Sequence, residues 1–289
     1  MAERLADVKA HIDSVRQLSM VVSAMRSLAA SRARDARERL GGIKAYAATV
    51  SNAIGDTLGL APTEQAVGLK DDDGTAHLVI AICAEQGFAG AFNERVLDHV
   101  GLVAKRRQKP SAILVVGSRG ATVAQERNVA VEFLAPMMAH ADQAARLASR
   151  IADAVYDRVS RRLVNEVSLV HGRPGLGAAL NVADMRLVPF DFGRFPAASR
   201  YVPPLITLPR DDLLAHLSEE YVFAEILEAL ILSFAAENEA RMRAMTAAQE
   251  HVGDRLESLI ALSRRLRQEE ITSEIVELSA SAGQTAKGR

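Results

Sequence analysis

Apolar residues near the start of the chain fall at Leu5, Val8, Ile12, Val15, Val22, Ala29, Ala33, Ala36 and Leu40, with polar breaks at Ser19 and Arg26. These steps of three and four keep one narrow stripe on one face of a helix. A second row, Leu18, Met25 and Leu28, widens that face midway, so this stretch can touch more than one neighbour. Gly41 and Gly42 either weaken the helix or allow a close approach. The other end repeats the pattern at Met242, Met245, Gln249, Val252, Leu256, Leu259, Ser263 and Leu266, preceded by Leu227, Leu230, Ile231 and Phe234. Asp211, after Pro209, reads as the N-cap of this second helix, which would extend ~100 Å over 213–277. A helix of that length outruns any ordinary core and needs a partner along it. No proline precedes Pro62 or follows Pro209, which suits two long helices around a different middle. Both helices join that middle at their inner ends, so they pair antiparallel.

The middle alternates strand and helix signals. Short runs rich in Val, Ile and Leu at 77–83, 112–117 and 167–171 are separated by helical patterns at 92–108 and 142–163. Such alternation implies right-handed crossovers and a mainly parallel sheet, with 131–134 and 185–190 as edge strands.

Composition supports helix: aromatic residues are 4% of 289 and Trp is absent. The formal charge of −1 conceals a basic first segment holding Arg4, Lys9, Arg16, Arg26, Arg32, Arg34, Arg37, Arg39 and Lys44. That arm suits an acidic protein, a nucleic acid or a membrane surface, or is simply a solvated face. The single cysteine, Cys83, lies in an apolar run and reads as a small buried hydrophobe in a reducing compartment. The start lacks a signal-peptide core and no stretch reaches the ~18 apolar residues of a membrane span, so the chain is expected to be soluble by itself.

Candidate chemistry is sparse. Gly87-Phe88-Ala89-Gly90 follows a strand and precedes a helix, where free amides can meet a phosphate, but it lacks a full GxGxxG or a P-loop lysine and reads as a tight turn. Gly172-Arg173-Pro174-Gly175-Leu176-Gly177 reads as a loop, and Ser118 has no local base to make it a nucleophile. The seven histidines form no zinc pattern, and Asp71-Asp72-Asp73-Gly74 lacks the spaced ligands of a calcium loop. Met25, Met242 and Met245 read as packing residues. Arg241, Arg267 and Gln268 are long polar side chains on the second helix, solvated or available to an acidic partner.

Ser14-Val15 with Val22-Ser23-Ala24-Met25-Arg26-Ser27-Leu28-Ala29-Ala30-Ser31-Arg32, and Glu237-Asn238-Glu239-Ala240-Arg241-Met242-Arg243-Ala244-Met245 with Arg267-Gln268-Glu269-Glu270-Ile271-Thr272-Ser273-Glu274-Ile275, resemble the two terminal motifs of a known family. It is the gamma subunit, or central stalk, of rotary F-type ATP synthases. Gln86-Gly87-Phe88-Ala89-Gly90-Ala91-Phe92-Asn93 is similar to that family's glycine-containing turn, so the likeness spans nearly the whole chain. Ser23, Arg264, Ser279 and Ala280 depart from the family pattern and mark a divergent branch. The resemblance implies contact with a hexamer of alpha and beta subunits, a ring of c subunits under the α/β foot, and an epsilon subunit beside it. It places Met25, Arg241, Arg267, Gln268, Thr272 and Glu277 where gamma subunits face or support the hexamer contact, with no catalytic residue, cofactor or metal.

The expected fold is α/β: a long antiparallel coiled coil of N- and C-terminal helices plus a Rossmann-like α/β domain with a mainly parallel sheet. The divisions are a first helix over 1–58, the α/β domain over 75–195, a second helix over 210–280 and a flexible tail over 281–289. The resemblance implies a rotor shaft, peripheral on the cytoplasmic face of an energy-transducing membrane and attached only through its complex, with no nucleic-acid partner. Two other classes stand beside it: a non-rotary coiled-coil scaffold, and an enzyme binding a nucleotide at the turn near Gly87.

Overall fold

The computed structural model describes residues 2–60, 76–107, 111–175, 180–195 and 204–286. The chain forms two compact units, one of Ala29–Arg241 and one of Met1–Leu28 with Met242–Arg289. Helix α1 (Ala2–Leu58) and helix α5 (Arg210–Ala286) each contribute to both. The unit boundaries therefore fall inside the two helices rather than at their junctions with the sheet.

In the larger unit, β1 (Ala76–Ile82), β2 (Ser111–Val116), β3 (Phe133–Ala135), β4 (Val164–Arg173) and β5 (Asn181–Val188) form one sheet in the order β3-β2-β1-β4-β5. All pairings are parallel except β4 with β5, and the two expected edge strands do lie at the edges. Between the strands lie α2 (Phe92–Arg107), α3 (Ser118–Glu126) and α4 (Ala144–Ser160). Side chains alternate across a strand, so Leu78, Ile80 and Ile82 meet Leu147, Ile151 and Val155 of α4 and Val222, Ile226 and Leu230 of α5. Val79, Ala81 and Cys83 point the other way, onto Phe92, Val96 and Val100 of α2. Covering both faces explains why β1 reads as a nearly continuous apolar run. The run holds one exception, His77. It is fully buried, with Nδ1 3.3 Å from Ser111 Oγ and Nε2 2.9 Å from Ser168 Oγ, a polar bridge across β2, β1 and β4.

Three local readings change. Helix α3 lies outside the helical patterns at 92–108 and 142–163, directly after the strand that Gly117 ends. Gly117 holds φ at 110°, and a Cβ there would lie 2.6 Å from the Cys83 carbonyl oxygen, so glycine is what lets the chain turn from β2 into α3. Gly172 and Arg173 belong to β4 rather than to a loop, while Leu176 and Gly177 lie outside the described residues, as does the acidic run at 71–74. Asp211 is not the N-cap of α5. Leu213 N donates to Pro209 O at 3.0 Å, so the helix starts two residues earlier, at Arg210, and Asp211 and Asp212 sit in its first turn, where negative charge is favoured.

The α1 and α5 segments of this unit run antiparallel. Arg210 donates to the carbonyls of Thr57 and Leu58 at the end of α1, and Arg37 pairs with Glu239 further along. Ala29, Ala33 and Ala36 supply the buried stripe of α1 here, while Val50 and Ile54 pack with Phe195 and Tyr221 near the first turns of α5. Gly41 and Gly42 do not interrupt α1, and neither would meet an atom within 4 Å if it carried a Cβ, so neither serves a close approach.

In the smaller unit the two helices pair through the expected stripe. Leu5, Ile12 and Val22 of α1 are buried, as are Met245, Leu259 and Leu266 of α5, and the remaining stripe positions are half-buried. Lys9, Ile12, Asp13 and Arg16 line a groove shared with Ile260, Ser263 and Arg264. Helix α5 continues to Ala286, past the boundary expected at 280.

Candidate partner-contact surfaces

The smaller unit exposes much of what the pairing stripe leaves unused. On α1, Leu18, Val21 and Leu28 are each about half exposed (51%, 54% and 52%), with Met25 half-buried on the same side. Their spacing of three and four makes a second apolar row. On α5 the pairing stripe ends at Leu266, and Ile271 and Ile275 begin a different row that faces solvent. Arg267 and Gln268 are exposed between them, and neither side chain has a hydrogen-bond or ion-pair partner among the described residues. Thr272 is also exposed, its hydroxyl donating to Gln268 O at 2.8 Å. Glu277 lies on α5, but its side chain falls outside the described residues.

Arg241 belongs to a different environment. Read from sequence it is a solvated side chain open to an acidic partner, yet in the larger unit only 4% of it is exposed. It donates to Glu237 Oε1 at 2.6 Å, to Asn238 Oδ1 at 3.2 Å, and to the carbonyls of Gln86 and Gly87 at 3.1 and 3.2 Å. Burial pushes the Glu237 carboxyl above its ordinary value, and the Arg241 charge opposes that rise. Four residues earlier, Ser233 Oγ donates to Ile82 O at 3.0 Å and accepts from Gly172 N at 3.2 Å. A Cβ on Gly172 would lie 2.8 Å from the Phe92 ring and 3.2 Å from Ala236, so α5 seats against the carboxyl ends of β1 and β4 only because that position is glycine. Arg241 is therefore enclosed and bonded within the larger unit, not solvated.

The same packing bears on a nucleotide. In a doubly wound sheet, ligands enter at the carboxyl ends of the strands where the order reverses. Here that place, between β1 and β4, is filled by Ser233, Ala236 and Glu237. The turn at Gly87 presents the Gln86 and Gly87 carbonyls to Arg241, with Phe88 and Gly90 both at positive φ. Beside it, Glu85 accepts from Ser118 N, Ser118 Oγ and Met137 N at 3.0, 2.7 and 2.7 Å. Glu85 thereby ties the start of α3 to the segment after β3. Among the described residues, no group of three His, Cys, Asp or Glu could hold a metal ion, and no helix is long and apolar enough to cross a membrane. Burial raises the Cys83 thiol far above its usual range, which fits the inert hydrophobe read from sequence.

Sequence reasoning missed Ser233, Glu85, Asn93 and the Arg37–Glu239 pair. Asn93 Oδ1 accepts from Ala84 N at 2.8 Å and so fixes the start of the turn. The available signal was density of polar residues: Glu237, Asn238, Glu239 and Arg241 interrupt an apolar run that is otherwise continuous from Leu227 to Ala236 except at Glu228 and Ser233.

Residues 4–283 match the family model described as ATP synthase. The ATP synthase gamma chain of Bdellovibrio bacteriovorus is 25% identical over 289 residues, covering 96% of this chain and 97% of its own. That of Streptomyces coelicolor is 26% identical over 298 residues, covering 99% and 97%. A chain in the Euglena gracilis mitochondrial ATP synthase, solved with OSCP, F1 and c-ring, superposes with a TM-score of 0.65 at 13% identity, covering 100% of this chain and 96% of that one. A chain of the rotor of the same enzyme gives 0.63 at 14%, covering 94% and 100%. Those structures speak to the fold, and the sequence match, nearly end to end, speaks to descent: this chain belongs to the gamma-subunit, or central-stalk, family of the F-type ATP synthases.

Proposed function

We propose that this chain is the central rotor shaft of an F-type ATP synthase, carrying rotation of a c-subunit ring to the catalytic sites of an alpha and beta hexamer and holding no catalytic site or cofactor of its own. The observation that carries this reading is the division of labour in the smaller unit. Pairing of α1 with α5 consumes one narrow stripe and leaves chemically different faces outward: an apolar row through Met25, and a polar face with Arg267, Gln268 and Thr272. A shaft can bias three equivalent sites in turn only if it offers each a different interaction free energy at each angle. Uneven faces meet that requirement and a uniformly polar rod would not. Glu277 extends the contact further along α5, Arg241 braces it from within the larger unit, the epsilon subunit lies beside the foot, and membrane attachment on the cytoplasmic face is indirect. The related Euglena structures, described as rotor and as F1 with c-ring, support the same assembly.

The test is replacement of Arg267 and Gln268 together by Ala in the assembled complex. Neither side chain has a partner among the described residues, so folding is unaffected while ATP-driven ion pumping falls relative to ATP hydrolysis. Pumping and hydrolysis that keep their wild-type ratio would overturn the assignment of this contact.

A further inference from the structure

Between the end of β3 and the first two turns of α4 the larger unit holds an open pocket of about 240 Å³. Its floor is Met137 and Met138, both buried, with Pro136 at the side, and its rim carries Gln143, Arg146 and Arg150. The walls are fixed: Glu85 accepts from Met137 N, and Gln143 Oε1 accepts from Ala139 N at 3.1 Å, so the 136–143 segment is tied at both ends. Arg146 and Arg150 stand one helical turn apart, both exposed, and neither has an ion pair or hydrogen bond among the described residues. Two like charges at this spacing repel one another. Other arginines of this unit do meet an acid, Arg158 at Glu132 and Arg127 at Asp98 among them.

We propose that this pocket receives an acidic segment of a neighbouring subunit, one carboxylate held between Arg146 and Arg150 and an adjoining apolar side chain set on Met137 and Met138. Charge complementarity selects the carboxylate, because guanidinium groups offer paired donors matched to a carboxylate fork. The space, about eight water volumes, takes one side chain of medium size. The methionines supply a surface that adapts to its shape, and arginine and methionine are the residue types enriched where proteins meet. The pocket belongs to the larger unit, whereas Met25, Arg267, Gln268 and Thr272 belong to the smaller, and the inference rests on the proposed membership of a multi-subunit complex.

The experiment uses the assembled complex carrying the full chain with Arg146→Lys and Arg150→Lys. This change keeps the charge and supplies primary amines for zero-length carbodiimide coupling to a carboxylate in direct contact. The expected product is a covalent link from residue 146 or 150 to one peptide of another subunit, bearing Asp or Glu next to an apolar residue. Arg146→Glu with Arg150→Glu lowers the affinity of the chain for that subunit by tenfold or more without changing the thermal midpoint of the isolated chain. No link, links scattered over many peptides, or unchanged affinity of the reversed variant would overturn the proposal. So would an Arg146-dependent rise in thermal midpoint of the isolated chain with millimolar inorganic phosphate or succinate, which would make this a small-anion site. If the chain fails to assemble with alpha and beta subunits at all, the rotor reading fails instead, so the two failures are distinguishable.

Discussion

Replacing Arg241 with Met tests the enclosed ion pair through its dependence on pH. In the native chain Glu237 is 3% exposed and its main partner is Arg241 at 2.6 Å. Without the guanidinium, the carbonyls of Gln86 and Gly87 lose their donor at any pH, a cost of about 1–3 kcal/mol. The carboxylate adds a second cost only where it is ionised. Burial already raises Glu237 above the ordinary 4.5, Arg241 is the largest opposing influence, and Arg32 is a lesser one. Removing Arg241 raises it further. The folded variant then holds this proton more tightly than the unfolded chain does, so stability falls as pH rises from 4.5 towards the folded-state value. The deficit relative to wild type should grow to about 3–5 kcal/mol at neutral pH, the cost of leaving one partner of a buried pair behind. Tyr46, Tyr156 and Tyr221 belong to the larger unit and no tyrosine occurs in 1–28 or 242–289, so tyrosine fluorescence in urea titrations reports on the larger unit. Titrations from pH 4 to 8 on both chains give the difference directly. A deficit that stays flat with pH, or is below about 1 kcal/mol at pH 7.5, would refute the reasoning.

His171 works in the opposite sense: burial lowers it from 6.5 to about 4, so the unfolded chain takes up its proton first and stability falls as pH drops through that window. His171→Gln should flatten the acid side of the wild-type stability curve by about 3 kcal/mol, read in the same titrations. Gly172→Ala forces a methyl against the Phe92 ring and should cost about 1–3 kcal/mol by overpacking, measured as a lower urea midpoint. Ile271→Asp, at a residue 50% exposed, should leave the isolated chain within about 0.5 kcal/mol of wild type while lowering its retention in a reconstituted complex. Unaltered retention would show that this row is not a contact.

The stripes of α1 and α5 were legible because each extends over many turns, so single polar breaks such as Ser19 or Ser263 cannot disguise the period. The strands were legible for a related reason. With both faces covered, Leu78 and Val79 alike must be apolar. Helix α3 was hidden because it is short and opens on Ser118 after a glycine, where local signals favour a turn and only the contact with Cys83 decides otherwise. The role of Arg241 was hidden too, since a period fixes which face a residue occupies and not what stands opposite. Its partners Gln86 and Gly87 are more than 150 residues away in sequence. His77 gave no signal either, because its two serines come from different strands.

The first residue of α5, Arg210, closes the last carbonyls of α1, more than 150 residues earlier in the chain. During synthesis α1 leaves the ribosome with its apolar stripe bare, and its covering helix is not yet made. At about 5–20 residues per second, roughly 8–30 s pass before Arg210 emerges, and the helix behind it takes longer still. Throughout that interval the nascent segment is a half-sheathed blade, and whatever shields it in the cell must let go when α5 arrives.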